Sequence, residues 1–324
     1  MNGPLVNVTD LRVEFPSLTG PDVAVISGLD LAIEPGQVVG LVGEAGAGKT
    51  VLARSIMQMV PEPGRVTKGR AELQGEDLLT MSERRLQRVR GARISMITAN
   101  PRGELNPLLP VGEQIATMAR VHLGQGRKES RETARAMLRK VQISDPDRRY
   151  AAYPHELSGG MAQRIVIAIA LVCGPQVVIA DDATSGLDVT VQAQILMLLR
   201  DLAREQNSSM LLITRDVGIT AHVCDRIAVM HQGEIVEAGD RQAVFLRPAH
   251  PYTIMLLAAF SHNKRLRALW SHADADKAAP ARGEQACSYV GRCPLAQARC
   301  RAEKPMLRMI APGHEARCHF PVVR

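Results

Sequence analysis

Aromatic residues are scarce in this chain: 3% of its 324 residues are Phe, Trp or Tyr, with a single Trp. Aliphatic side chains must therefore fill any core. The balance of 46% hydrophobic to 23% charged residues is ordinary for a globular protein. Long apolar runs are missing as well. Ile165 to Cys173 is the longest, about half of the ~20 residues that a hydrocarbon core demands. Met1 to Asp10 lacks the basic-then-apolar pattern of a secretory signal. Internal repeats and low-complexity tracts are also lacking. The length of 324 residues allows one to three domains, and these absences lead to the expectation of a cytosolic chain that can dock on a membrane.

Charge and cysteine are unevenly placed. His262 to Arg324 holds twelve Lys or Arg against five Asp or Glu, which accounts for the whole net charge of +7. A basic tail of this kind can meet nucleic acid, anionic lipid or an anionic cofactor, or can be a solvated surface. Four of the six cysteines, Cys287, Cys293, Cys300 and Cys318, fall in the same tail. Cys173 and Cys224 sit among apolar residues and read as small buried side chains.

Strand-like and helix-like stretches alternate along the first 239 residues. Strands are expected at Leu5–Glu14, Val38–Val42, Ala71–Leu73, Ile94–Ile97, Val177–Ala180, Met210–Ile213 and Ile227–Met230. Helices are expected at Lys49–Val60, across Glu113–Val141 with a break at Gly124–Arg127, at Ser158–Cys173 and at Thr190–Glu205. Continuous apolar strands between helices predict a mostly parallel sheet covered on both faces. Beyond Gly239, linkers at Pro248–Pro251 and Ala278–Pro280 flank a short helix at Tyr252–Phe260.

The sharpest motif is Gly43-Glu44-Ala45-Gly46-Ala47-Gly48-Lys49-Thr50, followed by Val51. It fits G-x-x-x-x-G-K-[ST] and lies between a buried strand and a helix. Glycines let backbone N–H groups curl around phosphates, and the helix N-terminus adds positive potential. Lys49 is the expected ligand of the β- and γ-phosphates, with the Thr50 hydroxyl on Mg²⁺. Asp181, ending the Val177–Ala180 strand, is placed to hold the same metal through water. Together these residues predict a P-loop nucleotidase that uses Mg²⁺, and nothing narrower.

Leu157-Ser158-Gly159-Gly160-Met161, followed by Gln163-Arg164, resembles the signature motif of ABC ATPases, and Ser185-Gly186-Leu187-Asp188 resembles their D-loop. Leu105-Asn106-Pro107, Tyr153-Pro154-His155-Glu156 and His250-Pro251-Tyr252-Thr253 are similar to the oligopeptide/dipeptide importer branch of that family. The resemblance covers nearly the whole chain. It implies a RecA-like α/β core with an antiparallel β subdomain, a helical subdomain at about 100–156 that docks on membrane subunits, and a cysteine-bearing extension from 240 to 324. Phe15 stands where the family places an adenine-stacking aromatic, and plain core packing is the competing reading. In the family, Ser158 to Met161 would cap the γ-phosphate of ATP held by the other subunit of a head-to-tail dimer.

Three family positions carry other residues. A glutamine that contacts Mg²⁺ and water is replaced by Ala99, the catalytic glutamate after Asp181 by Asp182, and the switch histidine by Arg215. Ala99 has no side-chain oxygen, Asp182 is one methylene short, and Arg215 donates hydrogen bonds but accepts no proton. The resemblance then implies a heterodimer in which this chain binds ATP but turns it over poorly. Its signature, Ser158 and Gly160 above all, would complete the site of a paralogous ATPase subunit.

For the tail, four thiolates are enough for a [4Fe–4S] cluster, which the resemblance implies at Cys287, Cys293, Cys300 and Cys318. Zinc is the rival, with His314 or His319 as substitute ligands, although the spacing lacks paired C-x2-C knuckles. Arg292, Arg299 and Arg317 are near enough in sequence to offset a cluster's charge. The further implied partners are two permease subunits and an extracytoplasmic solute-binding protein, with no nucleic acid, at the cytoplasmic face of the membrane. Short peptides come first as the solute; nickel or opine-like solutes, or a soluble ribosomal or chromosomal ABC ATPase, are the alternatives.

Overall fold

The computed structural model describes residues 3–260 and 285–322. The expected linker at Ala278–Pro280 lies outside them. The chain divides into two compact units: one formed by the chain up to residue 6 with 33–38 and 72–213, the other by 7–32, 39–71 and 214 onward.

In chain order the elements are β1 (Val6–Phe15), β2 (Val23–Ile33), β3 (Val38–Val42), α1 (Lys49–Ile56), β4 (Arg65–Leu73), β5 (Glu76–Asp77), α2 (Glu83–Val89) and β6 (Ile94–Ile97). Next come α3 (Pro101–Glu104), α4 (Val111–Leu123), α5 (Arg127–Lys140), α6 (Pro146–Tyr150), α7 (Gly159–Leu171), β7 (Val177–Asp181), α8 (Val189–Glu205) and β8 (Ser209–Thr214). The remainder is α9 (Val217–Val223), β9 (Arg226–His231), β10 (Glu234–Asp240), α10 (Arg241–Leu246), α11 (Pro251–Phe260), α12 (Ala298–Ala302), β11 (Arg308–Ala311) and β12 (His314–Ala316).

The first unit carries the parallel strands β6, β7 and β8, with Ile94 opposite Val177 and Val177 opposite Ser209. Every residue of β7 and β8 is buried, which is why these strands read as uninterrupted apolar runs. Helix α7 supplies Ile165, Ile167, Ala168 and Leu171 to the same core. The helical region between β6 and α7 is held by α4 packed against α5. Glu113 of α4 ties it together, accepting from Arg131 Nε at 2.8 Å and the Tyr150 hydroxyl at 2.9 Å. The Tyr150 ring lies so close to Gly112 that a Cβ there would sit 2.2 Å from it.

The second unit carries β11, β12, β10, β9 and β3 in that order. Strand β3 runs parallel to β9, while β9, β10 and β12 are antiparallel. The tight β9–β10 turn uses Gln232 and Gly233, both at positive φ, which matches the twist of a two-residue hairpin. Strand β12 joins β10 with Gly239 opposite His314, so the sheet continues into the chain beyond Asp240. Strands β2, β1 and β4 form a second sheet around buried Leu11, Val13, Ile26 and Leu29.

Three helices stop where no glycine signals an end. Helix α1 is shorter than the expected Lys49–Val60: Gln58 adopts φ +48, its N–H donates to Ser55 O, and Met59 N–H donates to Arg54 O at 2.7 Å. This paired closure with a left-handed residue is the Schellman arrangement. Gln142 after α5 and Asn207 after α8 repeat it. Strands β2 and β10 and helices α2 and α9 are additions to the sequence reading.

Candidate functional site

The Gly43–Thr50 loop joins β3 to α1 in the second unit. Gly43 is required by crowding: at its φ of +158° a Cβ would stand 2.2 Å from the Met230 carbonyl oxygen of β9. Gly48, at φ +103°, precedes the first turn of α1. Lys49 is buried, and its ammonium donates to the carbonyls of Gly43 at 2.8 Å and Glu44 at 2.9 Å. These two bonds tether the ammonium to the carbonyls of its own loop. The β9–β10 turn props the loop from outside, Gly233 N–H donating to Ala47 O at 2.9 Å. Thr50 is exposed and Val51 half-buried. Around Ala45 the loop is open: Ala45 is exposed and a Cβ on Gly46 would meet nothing within 4 Å.

Phe15 ends β1 in the same unit, half-buried, with its ring over Gly64; a Cβ on that glycine would lie 2.5 Å from the ring. Arg215 is exposed beside Asp216, whose carboxylate caps α9 by accepting from Ile219 N–H.

The remaining motif residues belong to the first unit. Asp181 is the buried end of β7, opposite Ile213. Asp182 follows at φ +50°, a left-handed conformation that Asp tolerates better than most side chains. Its N–H donates to Ile213 O at 2.9 Å, and its carbonyl accepts from Ser185 N–H. Ser158 caps the 13-residue α7, its hydroxyl accepting from Met161 N–H at 3.3 Å. A Cβ added to Gly159 would lie 3.5 Å from Leu187, and one added to Gly160 3.5 Å from Val191, both ordinary contact distances. Asp188 caps α8 through Val191 N–H. Ala99 is exposed, and its loop is tied by neighbours instead: Asn100 caps α3, and the Thr98 hydroxyl donates to Glu104 at 2.8 Å.

All four tail cysteines line one small cavity with room for about one water (about 10 Å³), together with Tyr289, Leu295 and His319. None is in a disulfide. Burial pushes the Cys287 thiol up to about 11 and the Cys293 thiol up to about 12, with the other cysteines adding to both. Among the described residues no group of three or more His, Cys, Asp or Glu is arranged to hold a metal ion. The arginines that sequence position offered as counter-charges are engaged elsewhere. Arg292 pairs with Glu44, Arg299 with Glu303, and Arg317 donates to the carbonyls of Ile235 and Pro305. His314 bonds Glu237 at 2.8 Å, and His319 bonds Glu303 O at 2.9 Å. Cys224 is buried and Cys173 half-buried; burial raises both thiols, consistent with packing roles.

Sequence reasoning missed one group of residues. Tyr252 and Arg292 both reach Glu44 of the P-loop, although Tyr252 stood out only as part of a family marker and Arg292 only as a stray charge.

Comparison with known proteins agrees with this arrangement. Residues 26–185 match the family described as ABC transporter, and residues 236–300 match the oligopeptide/dipeptide transporter C-terminal region. The chain is 41% identical over 322 residues to the dipeptide transport ATP-binding protein DppD of Escherichia coli K12, covering 98% of this chain and 97% of that one. It is 39% identical to the oligopeptide transport ATP-binding protein OppD of Salmonella typhimurium, covering 98% and 94%. Among solved structures, the dimeric ATP-binding cassette MJ0796 bound to ADP and Pi superposes with a TM-score of 0.65 at 22% identity, covering 73% of this chain and 98% of that one. The cassette cbiO1 from Clostridium perfringens gives 0.64 at 22% identity, covering 83% and 99%. The fold is that of a RecA-like P-loop ABC cassette.

Proposed function

Because this chain belongs to the ATP-binding subunits of oligopeptide/dipeptide ABC transporters, we propose that it binds Mg-ATP and couples it to import of di- or oligopeptides. The observation that carries this reading is the P-loop, whose Lys49 donates to the Gly43 and Glu44 carbonyls, within a chain 41% identical over 98% of its length to a dipeptide transport ATP-binding protein. In this reading residues 43–51 cradle the phosphates, Phe15 stacks on the adenine, and Thr50 and Asp181 hold Mg²⁺. Residues 1–239 form the nucleotide-binding domain and 240–324 the extension. The partners are a paralogous ATPase subunit, two permease subunits and an extracytoplasmic solute-binding protein, and the chain sits at the cytoplasmic face of the membrane. Exposed Leu108, Leu109, Val121 and Leu123 in the helical region supply an apolar surface for the permeases. No helix among the described residues is long and apolar enough to cross a membrane.

The site is asymmetric in this proposal. Ala99 brings no oxygen to Mg²⁺ or water, Asp182 is short, and Arg215 accepts no proton. This chain therefore hydrolyses ATP poorly, while Ser158 to Met161, at the exposed N-terminus of α7, complete the paralogue's site. The test is turnover by the assembled complex after the paralogue's catalytic glutamate is changed to glutamine. Turnover at background is expected. Turnover near half of the unaltered complex would show that Ala99, Asp182 and Arg215 support hydrolysis and would end the asymmetric reading.

We also propose that Cys287, Cys293, Cys300 and Cys318 hold a [4Fe–4S] cluster with a structural role, zinc being the alternative. The donor set supports it, since four thiols line one cavity and such clusters are held by four thiolates. A tetrahedral zinc with Zn–S of ~2.3 Å would need its sulfurs ~3.8 Å apart, and among the described residues no group is arranged for a metal ion of either kind. The cavity is water-sized, so either group is taken up with rotation of the thiols and loss of their protons.

A further inference from the structure

The His250-Pro251-Tyr252 motif lies outside every nucleotide-binding motif in sequence. Glu237 of β10 is fully buried, and its carboxylate accepts from Ala249 N–H at 2.9 Å and His250 N–H at 2.7 Å. The His250 ring then accepts from Tyr252 N–H through Nδ1 at 3.0 Å. Pro251 starts α11, where its missing N–H costs nothing. Each residue of the motif thereby fixes the next, and the last, Tyr252, is wholly buried. The Tyr252 hydroxyl oxygen accepts the backbone N–H of Glu44 at 2.8 Å.

Glu44 is held at its other end as well. Both of its carboxylate oxygens receive the Arg292 guanidinium at 3.0 Å, and Arg292 lies between Cys287 and Cys293 in sequence. Tyr289 bridges the two grips: its ring is 5.4 Å from Tyr252 and lies under the Arg292 guanidinium at 5.9 Å. The same ring lines the cysteine cavity. Glu44 in turn lends its carbonyl to Lys49. One residue of the phosphate loop is therefore gripped at its amide and its side chain by the C-terminal region, while its carbonyl props the phosphate-binding cation.

We infer that Tyr252 and Arg292 are positioning residues for the P-loop, so that the C-terminal region sets the affinity for the nucleotide's β- and γ-phosphates. A loop fixed in advance loses less freedom when phosphate binds. Tyr252→Phe leaves a partly buried N–H without its acceptor, which predicts about a tenfold weaker Kd for ATP and ADP. Arg292→Ala removes a half-exposed ion pair, predicting about a twofold to threefold loss that high salt erases. Arg292→Lys restores part of it.

This inference rests on the P-loop binding ATP, and titration of the full-length chain with fluorescent ATP, ADP and AMP separates the two claims. The unaltered chain should bind ATP; no binding would end the ATP reading, and the positioning role with it. Given binding, Tyr252→Phe should weaken ATP and ADP but spare AMP, which has no β-phosphate for Lys49. A general loss of folding would weaken all three alike, and equal losses would overturn the inference. The Glu44 amide should also exchange with deuterium about tenfold faster in the nucleotide-free Tyr252→Phe chain. ATP affinity within twofold of the unaltered chain, with unchanged exchange at Glu44, would overturn it too.

Discussion

Replacing Glu237 should loosen the entry to α11 by an amount that its contacts define. The carboxylate is wholly buried and accepts from three donors: Ala249 N–H, His250 N–H and His314 Nε2. Glu237→Ala leaves all three without their acceptor. Unmet buried donors cost about 1–3 kcal/mol each, and water entering the space left by the side chain recovers part of that. A net loss of about 3 kcal/mol follows, which is roughly a hundredfold in a local opening equilibrium. Glu237→Gln keeps one carbonyl oxygen and most of the volume, so its loss should be nearer tenfold, or about 1.4 kcal/mol. Hydrogen–deuterium exchange of the peptide covering residues 249–252 reads this directly. The helical hairpin of α4 and α5, in the other unit, serves as the internal control. Exchange at 249–252 within threefold of the unaltered chain in both variants would refute the claim that this carboxylate is what holds the motif.

Two further outcomes follow from buried titratable groups. Burial depresses His250 to about 3, with the nearby His231 adding to it, so the folded ring stays neutral while an unfolded one takes a proton below about 6.5. Stability from this site is therefore complete above pH 6.5 and lost as pH falls, by about 2 kcal/mol at pH 5. Urea unfolding at pH 7 and pH 5 should show a drop smaller by that amount in His250→Asn; equal drops would contradict the assignment. Anaerobic reconstitution with iron and sulfide should give broad visible absorbance and about four irons per chain, abolished by serine at any of Cys287, Cys293, Cys300 or Cys318. One zinc and no visible absorbance would select the alternative.

The parallel core was readable because its physics is local. Val38–Val42 and Ile94–Ile97 were expected at the bounds observed, since strands buried on both faces leave unbroken apolar runs. The P-loop was readable for a similar reason, its glycines serving a turn whose partner, the Met230 carbonyl, is close by whichever side chain Met230 bears. Strand β2 escaped notice because Ser27, Gly28 and Asp30 interrupt its apolar residues, and Gly28 sits at φ +70°. The end of α1 escaped because Gln58 does work usually marked by glycine. The grip on Glu44 was out of reach for a different reason. Its contacts join residues 208 and 248 positions apart, and neither Tyr252 nor Arg292 announces by type or spacing that it will meet a phosphate loop. Motifs that bind through consecutive backbone groups are written in one place; supports assembled by folding are not.

The β12–β10 pairing bears on how this protein can be handled. Strand β10 is covered on one side by β9 and on the other by β12, and the outermost strand, β11, is four residues long with an irregular register and carries Arg308. Short, irregular, charged borders discourage sheets from adding foreign strands. A truncation at Gly239, which sequence alone recommends as a tidy boundary, would cut within β10 and strip away that protective hem. The bare backbone of β10 would then be open to the same strand of another molecule, so the shortened protein is expected to precipitate or self-associate even though every nucleotide-binding motif is intact.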